Sequence, residues 1–311
     1  MQDKRCSMRD AIGRYVPDGA SVVLGTALES LIPFSAGHEI IRQRRRDLTL
    51  IAPVSDILFD QMIGAGCARR VIAAWIGNVS EGLGHNYRRA AEQGVPHPLE
   101  VVDQSNYSLG LALLAGAHGV PYLPTRSLLG SDLLASNPSL RVAPAPPGLP
   151  LVAEGTPLLH VPALQPDVTI LQVQRCDAEG NAHAWGNLGL SQEAALASEG
   201  VIVVAEEVVE PDVIRSDPNR VLVPGFKVLA VVHEPFGGHP SPVQGYYGRD
   251  HAYYHEYHEQ TRAPDGFAAW LATWVDGVPD RAAYLERLGE ARWRALLPRE
   301  HHFAAPVDYG Y

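Results

Sequence analysis

Short runs of aliphatic and β-branched residues recur between segments whose apolar positions repeat at helical spacing. Ser21-Val22-Val23-Leu24, closed by Gly25, predicts a buried strand; Met8–Tyr15 before it predicts a helix that ends in the turn Pro17-Asp18-Gly19. Leu48–Ile51 and Arg70–Trp75 predict two further strands with a helix over Asp56–Ile63 between them. An apolar helix over Leu109–Ala117 feeds a short extended piece, Val120–Pro124. The alternation then resumes: strand Val168–Val173, helix Gln192–Ser198, strand Val201–Ala205, strand Val228–Val232, and a helical region from Ala252 to Leu297 broken near Pro264 and Pro279. Val201–Ala205 is apolar at every position, as a strand covered on both faces must be. The pattern predicts an α/β fold with an open, mainly parallel sheet flanked by helices.

Between Pro144 and Pro166 there are seven prolines in 23 residues. Such a stretch is expected to be neither helix nor central strand. Because the strand pattern resumes in the same style after it, the chain is expected to form one domain over 1–311. Lobes 1–143 and 167–311 joined by a Pro-rich loop 144–166 are the other organisation it allows. Hydrophobic residues are 46% and charged residues 19% of the 311, which excludes disorder for the bulk of the chain.

Lys and Arg total 25 against 35 Asp and Glu, a net charge of −10. That balance argues against nucleic acid as a partner. The run Arg42, Arg44, Arg45, Arg46 fits cations at a helix C-terminus. The three cysteines, Cys6, Cys67 and Cys176, are isolated and carry no metal-ligand spacing. The first fifteen residues lack an apolar signal core, and Leu109–Val120 is too short to span a bilayer. The expectation is a soluble cytoplasmic protein with no membrane partner.

Chemistry is expected in the Gly-, Ser- and Asn-rich turns that follow the strands, where open α/β sheets bind ligands. They are Gly25-Thr26, then Asn78 and Ser80 in the turn 77–84, then Gln104, Ser105 and Asn106 at the start of the apolar helix, and Gly130-Ser131. Ser105 and Asn106 also suit a helix cap. Asp177–Gly186 suits a hairpin with Trp185 packed beneath it. The adjacent acids Glu206 and Glu207 suit loop anchoring better than acid–base chemistry. His251, His255 and His258 share one helical face, but three ligands on a straight helix do not converge on a tetrahedral ion, so no metal is expected.

Taken in order, these pieces resemble the α subunit of family I CoA-transferases, glutaconate CoA-transferase in particular. The resemblance runs from Asp10-Ala11-Ile12 and Gly19 through Leu48-Thr49, Met62–Gly66, Val120–Pro124 and Gly130-Ser131. It continues in Asp177–Gly186, Glu206-Glu207, Ile214–Pro218, Pro224-Gly225 and Pro235–Ser241.

The resemblance implies a heteromeric acyl-CoA:carboxylate CoA-transferase, a heterodimer or a higher assembly such as α2β2. A glutamate of the β subunit, in a Glu-Asn-Gly-like motif, takes the acyl group and then CoA. That motif does not occur here, so no catalytic residue is expected in this chain and coenzyme A enters only as substrate thioester. Ser80 is similar to a serine that meets the substrate carboxylate. Where the family carries a cation after its Gly-Gly turn, this chain has Leu31-Ile32 beyond Gly25-Thr26, and Leu28, Leu31 and Ile32 suit a more apolar acyl chain. Two other activities stay open. One is a ring-opening hydrolase of steroid-derived CoA esters, whose glutamate before the helix is matched here by Asn106. The other is a non-catalytic CoA-binding subunit.

Overall fold

The computed structural model describes residues 2–299. Four parallel strands step outward from the middle of the sheet: β1 (Ser21–Leu24), β2 (Leu48–Val54), β3 (Ala68–Trp75) and β4 (Glu100–Asp103). The chain then leaves the sheet to build a small antiparallel one from β5 (Tyr122–Thr125), β6 (Arg141–Pro144) and β7 (Pro157–Pro162). It returns on the other flank of β1 with β8 (Val168–Cys176), the hairpin strand β9 (Ala182–His183), β10 (Gly200–Val208), β11 (Val221–Val223) and β12 (Val228–His233). The parallel order is β12-β10-β8-β1-β2-β3-β4, with β9 and β11 extending the sheet antiparallel beyond the end of β1. The α/β class read from the sequence is the observed one.

The small sheet corrects one expectation. β7 lies within 144–166 and is flanked on both sides by strands, although the proline content of that stretch predicts no central strand. Its prolines stand at its two ends, 157 and 162, while Leu158–Val161 keep the N–H groups that the ladder needs. Leu159 and Val161 are buried against Ala112 and Leu140, so the small sheet sits on the helix Asn106–His118.

Side-chain alternation sorts the main sheet's residues into two layers. Val23, Ile51, Ile72 and Val102 face the helices Asn106–His118 and Ser191–Ala197 through Leu109, Leu113, Ala194 and Ala197. Val22, Leu24, Leu50, Ala52 and Val71 face the opposite layer, which contains Phe34, Ile40, Leu58 and Phe59. The C-terminal helices add Tyr253, Tyr254, Tyr257, Trp270 and Tyr284 to that second layer. The arginine run behaves as expected of a helix end: the helix Phe34–Arg42 stops there, and Arg44 reaches Asp276 at 3.2 Å.

Asp177–Gly186 forms the expected hairpin turn, with Asp177 accepting from the Glu179 and Asn181 backbone N–H groups. Glu206, at the end of β10, anchors a loop as expected. It accepts from Gln172 Nε2 (2.8 Å), Tyr247 Oη (2.6 Å) and the Phe236 N–H (2.7 Å). Burial pushes its carboxyl up to about 7 despite these three donors.

A folded-state pKa raised from the ordinary 4.5 to about 7 stabilises the protein fully below about pH 4.5 and loses that contribution as pH rises through 7. The shift corresponds to on the order of 3 kcal/mol. The stability of wild type relative to Glu206→Gln should therefore fall by about 2–3 kcal/mol between pH 5 and pH 8 in urea titrations. A difference that stays constant across that range would show that Glu206 is ionised throughout.

Candidate functional site

Parallel strands end on one edge of their sheet, so the turns after β1, β2 and β3 are neighbours before any side chain is considered. Gly25 closes β1 in the left-handed region (φ 78°), and a Cβ there would strike Ser55, which follows β2. Only glycine fits between the two turns. Three non-glycine residues of the same turns also lie in the left-handed region: Leu28 (φ 62°), Leu31 (φ 53°) and Asp56 (φ 44°). Such backbone persists only where the surroundings impose it.

Arg249 enters this edge from the segment before the helix His251–Gln260. Its Nη2 donates to Asp56 Oδ2 at 2.6 Å and to Ser80 Oγ at 3.1 Å. Its Cζ lies 3.7 Å from the centre of the Tyr254 ring. Glu29, in the turn after β1, approaches Arg249 Nη1 at 3.7 Å. One guanidinium thus ties together the turns after β1, β2 and β3. Burial pushes the Asp56 carboxyl up, and the guanidinium offsets only part of that rise.

The turn after β3 is built by Asn78, which is wholly buried. Asn78 Oδ1 accepts from the Ser80 and Glu81 N–H groups, and Nδ2 donates to the Tyr254 carbonyl. Ser80 is left exposed, with its hydroxyl against Arg249. Asp60, buried below, accepts from Tyr257 Oη (2.6 Å), Asn86 Nδ2 (3.0 Å) and the Tyr87 N–H (2.8 Å), fixing the helix His85–Gln93 against His251–Gln260. A cavity of about 420 Å³ lies under the same turn, lined by Trp75, Leu83, Tyr87, Arg88 and Asp103 among others.

Of the residues expected to bind substrate, the structure gathers Gly25, Asn78 and Ser80 at the ends of β1 and β3. Thr26 sits at this edge too, but its Oγ1 turns away to Ser191 Oγ at 2.6 Å. Gln104, Ser105 and Asn106 lie at the end of β4. There Ser105 caps the helix Asn106–His118 in a reciprocal box with Ser108, Gln104 accepts from Ser108 Oγ, and Asn106 is exposed. Gly130 and Ser131 belong to the small sheet's connections, with Ser131 Oγ donating to the Leu128 carbonyl.

Of the three residues expected to suit an apolar acyl chain, Leu31 and Ile32 are buried in the hydrophobic clusters, and Leu28 is half-buried in the turn after β1. His255 is exposed and lies 3.2 Å from Glu81, while the His258 ring packs on His85. Sequence reasoning missed Arg249, Asp56 and Glu29, which no motif or spacing connects.

A sequence model of the Coenzyme A transferase family matches residues 5–234. The chain is 37% identical to the A-type subunit of 3-oxoadipate CoA-transferase from Pseudomonas knackmussii, over 92% of this chain and 98% of that one. It is 30% identical to the A-type subunit of glutaconate CoA-transferase from Acidaminococcus fermentans, over 93% of each. The crystal structure of glutaconate coenzyme A-transferase from that organism superposes with a TM-score of 0.87 at 28% identity, covering 95% of this chain and 96% of its own. A cholesterol ring-cleaving hydrolase IpdA subunit of Rhodococcus jostii is 28% identical over 90% of this chain and 94% of that one. With the family matched over most of its length and the fold shared throughout, the chain belongs to the coenzyme A transferase family.

Proposed function

We propose that this chain is the α subunit of a heteromeric CoA-transferase that works with a β subunit, moving CoA between carboxylic acids. The observation that carries this is the 37% identity, across nearly the full length of both chains, to the corresponding subunit of a CoA-transferase. The relatives' names include 3-oxoadipate and glutaconate, so a short dicarboxylic acid is the favoured substrate class. The chain acts as a single domain, and its place is the cytoplasm. Among the described residues, no helix is long and apolar enough to cross a membrane.

In this reading the β subunit contributes the nucleophile. Its glutamate carboxylate attacks the thioester carbonyl and expels CoA thiolate, leaving a mixed anhydride. The thiolate then attacks the glutamyl carbonyl and releases the first acid. An acceptor carboxylate runs the sequence backwards, which makes the kinetics ping-pong. The present chain supplies the opposing wall, and the turns that carry Gly25, Thr26, Asn78, Ser80, Gln104, Ser105, Asn106, Gly130 and Ser131 are the proposed contact surface for acyl-CoA, with the exposed Ser80 and Asn106 offering side chains. The ring-cleaving alternative is less favoured, because Asn106 occupies the position where that group's glutamate is expected.

The purified chain alone should not transfer CoA, and transfer should appear when the β subunit is added. Full turnover by the single chain, lost in a Glu81→Gln variant of the carboxylate next to Ser80 in the turn after β3, would instead place the nucleophile here. Hydrolysis of a ring C–C bond without transfer to a free acid would establish the hydrolase.

Ser80→Ala in the reconstituted complex should lower kcat/KM about 10- to 100-fold. A hydrogen bond to a charged group contributes about 1.5–3 kcal/mol, whereas an idle surface serine stays within about 0.5 kcal/mol. Tm followed in parallel separates lost binding from lost stability. An unchanged kcat/KM removes Ser80 from the site.

A further inference from the structure

We propose that Arg249 is the residue that selects acyl groups bearing a second, distal carboxylate, which it binds together with Ser80. This rests on the CoA-transferase reading and extends it to substrate choice. The Arg249 side chain is only 8% exposed, yet it keeps unused donor capacity. Nη2 is engaged by Asp56 and Ser80, while Nη1 is buried without a hydrogen-bond partner. A buried donor left unpaired is costly, so a vacant donor on an otherwise fixed guanidinium points to a ligand.

What stands nearest is informative. The Glu29 carboxylate lies 3.7 Å from Nη1, too far to hydrogen-bond, and its side chain is 51% exposed. A carboxylate on a solvent-facing turn already occupies the approach to the guanidinium. A substrate carboxylate needs only to displace it and come about 1 Å closer to reach hydrogen-bond distance. One incoming oxygen accepts from Nη1. The other accepts from the Ser80 hydroxyl, whose proton is free because Ser80 Oγ accepts from Nη2.

The guanidinium is held ready for this by two contacts the ligand does not disturb, Asp56 on one edge and the Tyr254 ring beneath. Asp56 itself cannot serve an apolar chain, and of the three apolar residues after β1 only Leu28 keeps some exposure. The cation missing from the turn after β1 is thus supplied from the far end of the chain.

The test compares succinyl- and glutaryl-CoA with butyryl- and valeryl-CoA in the complex with the β subunit, pairs that differ at the distal end of the acyl chain. In Arg249→Gln the ratio of kcat/KM for the dicarboxylic over the monocarboxylic esters should fall at least about 30-fold. Arg249→Lys should restore part of it. Removing one partner of a buried ion pair can unfold a protein, so Arg249→Gln combined with Asp56→Asn removes both charges and should show the same fall.

A second measurement needs no turnover. Succinate and glutarate should raise the Tm of the wild-type complex where butyrate and valerate do not, and Arg249→Gln and the double variant, which leave no cation at this position, should lose that rise. A ratio that stays constant, even with all rates lowered, makes Arg249 a structural strut and overturns the proposal. So does a wild-type complex whose Tm ignores the dicarboxylates. If the complex transfers CoA from no ester, the CoA-transferase reading falls, and the Tm comparison still decides the role of Arg249.

Discussion

Ser21 and Asp167, 146 residues apart, clamp the start of β1 to the start of β8. Asp167 Oδ2 accepts from both the Ser21 N–H and its hydroxyl at 2.7 Å, and the Asp167 N–H returns a bond to Ser21 Oγ at 2.9 Å. From there Val22, Val23 and Leu24 run in register with Val168, Thr169 and Ile170. This seam joins the strands before the small sheet to those after it, and the loop it closes is long, so its entropic cost must be met by what it buries. It is met by strands covered on both faces. The same seam decides which turns share an edge, and therefore which side chains can meet.

A seam where strand order reverses is where open α/β sheets ordinarily admit ligands. Here the chain fills that crevice itself. The Leu190 N–H donates to the Thr26 carbonyl, Asn187 Nδ2 to the Ala27 carbonyl, and Thr26 Oγ1 meets Ser191 Oγ. Gly189 packs so closely on Thr26 that a Cβ would not fit. Access to the edge is displaced toward the ends of β2 and β3, where Asp56, Ser80 and Arg249 lie. The generic rule for the fold locates the edge, and local packing locates the opening.

How far the sequence foretells this depends on the range of the interactions involved. Strands covered on both faces, such as Val201–Ala205, declare themselves because every residue is apolar. The hairpin at Asp177–Gly186 declares itself through the local bonds of one aspartate. β4 has four residues and charged ends, and the helix His85–Gln93 buries only Asn86 and Ala90, so neither carries a usable apolar pattern. The prolines of 144–166 suggest a loop because proline counts do not reveal that two of them flank a strand. Arg249 is the furthest from legible: its polar partners are 169 to 220 residues away in sequence, and a lone arginine after Gly248 has no spacing to read.

Asp60, Glu206 and Asp56 are three of the buried carboxylates of the chain, and they are stabilised in two different ways. Asp60 is held by a tyrosine hydroxyl, an asparagine amide and a backbone N–H; all three donors end on it. Glu206 is held the same way, and burial raises its carboxyl toward neutrality. Both arrangements are closed, because the donors are used up by the group they serve. Asp56 alone among the three faces a guanidinium, a planar group with five donors of which a single carboxylate oxygen uses few. An ion pair built from arginine therefore leaves capacity that a pair built from hydroxyls and amides cannot. At an edge already shaped by left-handed turns and a glycine too tight for any side chain, that surplus is what separates a binding group from a structural one.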